Sequence, residues 1–392
     1  MRARAALIWL MLSCAAQADP AVDRGRAIYA GDPGTGLQVQ VGQRLRPARG
    51  ISCAGCHGHD AQGGAEVQSG PAIDWPALEA QGYTPASFAR ALTQGIAPDG
   101  RTLGGAMPRL AFASPHDAAA LVAFLTQISA EQRKGITPQA VTFQRPPPEF
   151  ALAPFWQAFE AQIAALAPQG VFGRQIRLSI DPGFARIGAL RPAPADGQPS
   201  LFPLHPLIGD EDPATTRGAF ASLSAQVQAM AARHPQLAVL APPTTRMRLA
   251  DALPDGRIAV IGTDALPVDR PVMMLGADQL AKMPPGADIL TTLDDLALTP
   301  PAPGRCVQAT DPRPADTATD GAMAQYGRVA ATALIEALRL CQADCTRAGL
   351  MRAFDRVELQ PPDWPALDYA DHPLTGTDQV RIIKLCDPVP RP

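Results

Sequence analysis

The chain has 392 residues, enough for two domains, with 34 basic against 37 acidic side chains and a formal net charge of −3. That balance excludes a protein built to bind nucleic acid or an anionic membrane surface through bulk charge. The 42 prolines and the complete lack of asparagine are read as genome bias, and without asparagine there is no N-glycosylation acceptor.

The first 18 residues read as an export signal. Arg2 and Arg4 form a basic start, residues 5–12 a short apolar run, and Ala16-Gln17-Ala18 a small-residue cleavage site. The run is too short to span a bilayer. Lipidation at Cys14 is the competing reading, and Met11-Leu12-Ser13 suits it poorly. Cleavage would remove Cys14 and leave 32 basic and 37 acidic residues, a net charge of −5. No other stretch is long and apolar enough for a transmembrane helix, so a periplasmic protein is expected.

Val22, Ala27 and Ile28 recur at helical spacing and predict a helix over 22–30, closed by Gly31. Cys53-Ala54-Gly55-Cys56-His57 follows. Two cysteines two residues apart with histidine next is the attachment pattern of a c-type haem. Each thiol adds across one vinyl group to form a thioether, and the adjacent histidine is placed under the iron. A thioredoxin-like pair or half a zinc site would want a flanking βαβ pattern or a second CxxC, and neither is present. Thr84-Pro85 opens a second helix that stops at Gly95, and Ser114-Pro115-His116-Asp117 opens a third, striped by Leu121, Val122, Phe124 and Leu125. Met107 is the only methionine between the haem motif and residue 200, and it lies in the loop Gly104-Gly105-Ala106-Met107-Pro108. It is the candidate distal ligand. His59 is too near His57 to reach the other haem face, and His116 falls in a solvated first helical turn.

On these residues, about 20–132 resembles a class I cytochrome c: N-terminal helix, CAGCH motif, middle helix, Met-Pro loop and C-terminal helix in the family's order. The resemblance implies an all-α domain in which Gly25 and Tyr29 of the first helix face Phe124 of the last. It implies one covalent haem c on Cys53 and Cys56, with His57 and Met107 as axial iron ligands. With both axial positions filled, the iron can only change oxidation state. The domain is then an electron carrier rather than an enzyme, docking transiently to redox partners such as a periplasmic dehydrogenase, a terminal oxidase or another cytochrome. The longer segment from Gly63 to Trp75 receives no role.

Residues 133–154, with Pro146-Pro147-Pro148, read as a linker. Beyond it helices are expected over 155–166, 216–233, 320–340 and 346–354, and strands over 175–180, 237–240, 257–261, 271–275, 288–291 and 379–385. This alternation implies an α/β domain with a largely parallel sheet. Nucleotide, nucleophile-elbow and zinc-protease motifs are missing. His205, His234 and His372 are scattered and read as structural, and Asp294-Asp295 as a solvated turn. Cys306, Cys341, Cys345 and Cys386 are an even set in an oxidising compartment, so two disulfides are expected. Three pairings are open, and a local Cys341–Cys345 loop would leave Cys306 with Cys386.

Gly170-Val171-Phe172-Gly173-Arg174-Gln175-Ile176, Tyr326-Gly327, the run from Cys345 to Leu350, Leu374-Thr375-Gly376 and Gln379-Val380-Arg381-Ile382-Ile383 resemble type I periplasmic binding proteins of branched-chain amino acid ABC importers. The match is weak over 185–310, the domain is shorter than the family's, and no ligand-contact residue is carried over. The reading is multidomain: signal 1–18, all-α cytochrome c domain 19–132, linker 133–154, and binding-protein-like α/β domain 155–392. The expected function is periplasmic electron transfer, alone or as a subunit of a dehydrogenase complex, with the second domain docking a partner or binding a small molecule. The alternative is a solute receptor or redox-linked sensor whose haem responds to ligand occupancy.

Overall fold

The computed structural model describes residues 19–64, 70–147, 152–191, 194, 196–204, 212–252, 259–261, 271–276, 289–292, 306–311, 321–362 and 364–385. The expected export signal, His205, Asp294-Asp295 and Cys386 lie outside the described residues. The chain divides into two compact units that meet between Gln132 and Arg133.

In the first unit, helix α1 (Pro20–Ala30) is capped by the Asp19 carboxylate and closed by Gly31, whose φ of 77° suits glycine. Short α2 (Ala54–His57) and α3 (Trp75–Ala80) are followed by α4 (Pro85–Gln94), which starts in a reciprocal Thr84–Ser87 capping box, and by α5 (Asp117–Gln132). Helices α1 and α5 cross at Gly25, where an added Cβ would stand 2.0 Å from the Ala120 carbonyl oxygen. Tyr29 and Phe124 meet at the same crossing, ring centroids 5.2 Å apart, as the sequence suggests. Arg24 ties the two helix starts together, donating from Nε and Nη2 to the Asp117 carboxylate at 2.8 and 3.0 Å. Burial alone would raise the Asp117 carboxyl. The Arg24 hydrogen bond and the Ser114 N–H outweigh it and hold the group below the usual carboxylate range.

The unit is not all-α. Strands β1 (Gln38–Val41), β2 (Arg44–Pro47) and β3 (Arg109–Ala111) form an antiparallel sheet ordered β2-β1-β3. Only Val39 of β1 is buried. Strands of three or four residues with a single inward side chain carry too little periodicity to stand out against the helices.

The second unit is α/β, built on two sheets. The first has five parallel strands in the order β5-β4-β6-β7-β8: β4 (Ala140–Gln144), β5 (Gln175–Ser179), β6 (Arg186–Ile187), β7 (Ser200–Leu201) and β8 (Thr216–Arg217). The segment expected to be a linker therefore supplies the strand next to the sheet edge. Two glutamines and three prolines within 139–148 mask its core, Val141 and Phe143, which point into the main cluster. Helices α6 (Ala153–Leu166), α9 (Ala322–Cys341) and α10 (Arg347–Phe354) complete this lobe. Gly327 lets α9 press onto α6, since a Cβ there would lie 2.3 Å from the Phe155 oxygen.

The second sheet runs β10-β9-β11-β12-β13-β16: β9 (Ala238–Leu240), β10 (Ala259–Ile261), β11 (Val272–Met274), β12 (Ile289–Thr292), β13 (Val307–Asp311) and β16 (Arg381–Leu385). All pairings are parallel except β13 with β16. Helices α7 (Leu223–Arg233) and α8 (Pro243–Ala252) belong to it. The helix expected over 216–233 starts later, at Leu223. Thr216 and Arg217 pair in β8, and Ser222 caps the helix by accepting from Ala225 N–H. A small antiparallel pair, β14 (Glu358–Leu359) and β15 (Leu367–Asp368), follows α10. Cys341 and Cys345 are joined, and Cys306 is also disulfide-bonded.

Candidate haem site

The motif's cysteines sit at the start of one helical turn. Cys53 O accepts from Cys56 N–H at 3.2 Å and from His57 N–H at 2.8 Å, which winds the backbone of α2. Ser52 Oγ accepts from Gly55 N–H at 3.0 Å and caps the turn. Tyr29 grips both ends of it: its carbonyl accepts from Cys53 N–H at 3.0 Å, and its phenol donates to Gly58 O at 2.7 Å. Burial, with the nearby Cys53 and Asp60 groups, raises that phenol above the ordinary range, so it remains a donor. Cys53 and Cys56 are half-buried free thiols, and burial pushes the Cys53 thiol up to about 12.

His57 is buried, at 7 % exposure. Its Nδ1 lies 2.8 Å from the Pro71 carbonyl oxygen. A carbonyl only accepts, so Nδ1 carries the proton, and in the neutral ring Nε2 is then the nitrogen left to ligate. The Gly63-to-Trp75 segment, without a role in the sequence, supplies this partner. Gly70 N–H donates to Cys56 O at 2.7 Å, and a Cβ on Gly70 would stand 2.7 Å from His57 Nδ1. The Gly-Pro step of that segment was its only local signal. Met107 is half-buried and, like Cys53, packs against the first unit's hydrophobic cluster. A turn from Met107 N–H to Gly104 O, 3.1 Å, shapes its loop. His59 and His116 are exposed.

These residues fit a covalently attached haem: two unpaired thiols one turn apart, an imidazole with a held Nδ1–H and an available Nε2, and a thioether on the same apolar cluster. Among the described residues no group of three or more His, Cys, Asp or Glu is placed to hold a metal ion.

In the second unit, the carboxyl-terminal edge of the five-stranded sheet is covered by the chain's own aromatic residues. Tyr326 OH donates to Pro203 O at 3.2 Å, Tyr369 OH to Gly218 O at 2.5 Å, and Trp364 Nε1 to Ala219 O. Tyr326 and Trp364 stack at 5.7 Å. His234 Nε2 lies 3.3 Å from Gln308 Oε1, and His372 lies 3.8 Å from Asp378, each in a structural contact.

The CxxCH turn lies within the one stretch of the first unit that matches a family model. Residues 39–125 match the family model described as cytochrome c oxidase, cbb3-type, subunit III. A search of curated protein sequences finds no match. Similar solved structures are substrate-binding proteins. One is a fatty acid ABC transporter substrate-binding protein from Thermomonospora curvata: 15 % identity, TM-score 0.44, covering 64 % of this chain and 90 % of that one. Another is a type 1 periplasmic binding protein from Bordetella pertussis Tohama I: 13 %, 0.42, 64 % and 100 %. A third is a leucine binding protein from Thermotoga maritima: 11 %, 0.42, 64 % and 99 %.

Proposed function

We propose that the first unit, residues 19–132, is an electron carrier holding one covalent haem c, with Cys53 and Cys56 as thioether sites and His57 and Met107 as axial ligands. The observation that carries this is the buried His57 ring, held through Nδ1 by Pro71 and adjacent to two free thiols on one turn. When bound, the group supplies a one-electron change at iron. The Pro71 carbonyl fixes the ring's tautomer and orientation and strengthens Nε2 as a donor. A Met/His pair raises the reduction potential. His57 and Met107 would together hold the iron, and a group so held would supply electron transfer, the basis of the carrier reading. The Cys341–Cys345 bond supports export to an oxidising, periplasmic compartment.

The test is production in a periplasm competent for c-haem attachment, followed by intact mass. A mass raised by one haem, lost when Cys53 and Cys56 are changed to Ser, is the expected result. A mass without haem refutes the reading.

For the second unit we infer a docking role toward a periplasmic dehydrogenase or oxidase. In support, the carbonyls at the strand ends of the first sheet are already engaged by Tyr326, Tyr369 and Trp364. Stoichiometric copurification with such an enzyme would make the chain a subunit of its complex, and transient association alone would leave it a docking carrier. Small-molecule binding draws on a different feature, a groove of about 570 Å³ between α6 and β5 lined by Arg145, Phe159, Glu160, Ile163, Ile176 and Leu178. A thermal shift of the holoprotein with amino acids, organic acids or alcohols would favour that reading. A ligand at a hundred times its Kd adds about 2.7 kcal/mol.

A further inference from the structure

The loop that carries Met107 is built to be loose. At Gly104 and Gly105 an added Cβ would meet nothing within 4 Å. Two successive glycines give the backbone many accessible states. A thioether at the end of such a loop holds one position only if its backbone is fixed from elsewhere.

Arg109 fixes it. Its Nη1 donates to Met107 O at 2.7 Å and its Nη2 to Leu103 O at 3.0 Å, the two carbonyls that bracket the Gly104-Gly105-Ala106 segment. The guanidinium lies close against Gly95, where a Cβ would come within 1.9 Å of Cζ and Nε. Gly95 closes α4 in the left-handed conformation, φ 73°, and its carbonyl accepts from Leu103 N–H at 2.8 Å. The Arg109 backbone is itself held in β3, paired with Gln40. The side chain thus joins the methionine loop to the end of α4 and to the sheet.

We propose that Arg109 is the positioning residue that keeps the Met107 sulfur in place. The proposal rests on the reading of Met107 as the distal ligand. The planar fork of arginine suits two acceptors at once, and lysine, a single ammonium, satisfies one of them.

The experiment compares the full-length holoprotein with Arg109→Ala, Arg109→Lys and Met107→Ala. Three signals are read: the weak near-red sulfur-to-iron band of the ferric protein, the reduction potential, and the affinity for imidazole, which competes for the position of Met107. Apparent imidazole affinity scales with the fraction of molecules whose methionine is displaced. In Arg109→Ala we expect imidazole to bind about tenfold tighter or more, with a weakened band and a lowered potential. Arg109→Lys falls between Arg109→Ala and wild type, and Met107→Ala has no band and the tightest imidazole binding. Equal imidazole affinity and an equal band in wild type and Arg109→Ala overturn the proposal. If Met107→Ala matches wild type in both signals, the distal-ligand reading itself fails, and the proposal with it. Should Arg109→Ala yield no folded holoprotein, Arg109→Lys carries the test, and unchanged affinity and band there overturn the proposal.

Discussion

Changing Gly25 to alanine tests how closely the first unit is packed. The new methyl would stand 2.0 Å from the Ala120 carbonyl oxygen, 2.6 Å from its carbon and 2.8 Å from Phe124 Cβ. Ordinary contact needs about 3.4 Å, so α1 and α5 must part by roughly 1.4 Å at their crossing. The obstacle is helix backbone, which cannot rotate away as a side chain can. Overpacking of this kind costs about 1–3 kcal/mol, while alanine regains about 1 kcal/mol of helix propensity over glycine. Because the clash is with backbone, the cost sits at the upper end and a net loss of about 1–2 kcal/mol is expected. In a unit of this size that lowers the melting temperature by roughly 5–10 °C. The displacement would also reach α2, because Cys53 N–H hangs on Tyr29 O at the far end of α1. Calorimetry or circular dichroism of the holoprotein measures the shift. A melting temperature equal to or above wild type would refute the packing argument.

Three further outcomes are expected. Asp117→Asn should destabilise the first unit by about 1–2 kcal/mol at neutral pH through loss of the charged Arg24 bonds. The folded carboxyl lies below its ordinary 3.8, so its contribution is present above that value and is lost as pH falls through the folded one. The gap between variant and wild type should therefore close in acid urea melts below about pH 4, and a gap independent of pH would contradict the assignment. Trp364→Phe removes the donor to Ala219 O and leaves a buried carbonyl bare, a cost of about 1–3 kcal/mol in denaturant unfolding of the second unit; an unchanged midpoint would show that the bond contributes nothing. Replacing Cys341 and Cys345 together by serine opens a loop of separation 4, worth about 2 kcal/mol by chain entropy, and a loss well above that in denaturant unfolding would refute the chain-entropy account.

The turn proposed to carry the haem was legible because the chemistry it would serve dictates the spacing of Cys53, Cys56 and His57. The α1–α5 crossing was legible through Gly25, Tyr29 and Phe124. What escaped has a common physical cause, structure fixed by distant partners. Pro71 meets His57 at a sequence separation of 14, over a stretch of sequence with no periodicity. Strand β4 hides its two inward residues among prolines and glutamines, and β6, β7 and β8 are two residues long, below any detectable alternation. Trp364 and Tyr369 are unremarkable in sequence, and Tyr326 stands out only beside Gly327, with nothing local to show what its hydroxyl meets. The carbonyls that accept from Tyr326, Trp364 and Tyr369 lie 123, 145 and 151 residues away.

The order in which the second unit's pieces leave the ribosome sets a constraint on its folding. The first sheet is complete by Arg217, yet the helix that seals one of its faces begins at Ala322, and Trp364 and Tyr369 come later still. The second sheet is likewise left with an unpaired edge at β13 until Arg381 to Leu385 is made. Neither lobe is a contiguous stretch of chain, so neither can close during synthesis of its own strands. Phe143, Phe155 and Phe159 must wait for more than 160 residues of chain before Tyr326 and Leu334 cover them. Such long-range closure is slow and leaves aromatic surface open to aggregation while it proceeds. A truncation anywhere before α9 would deprive the first sheet of its partner helix, so α9, α10, Trp364 and Tyr369 are as much part of that sheet's folding unit as its own strands.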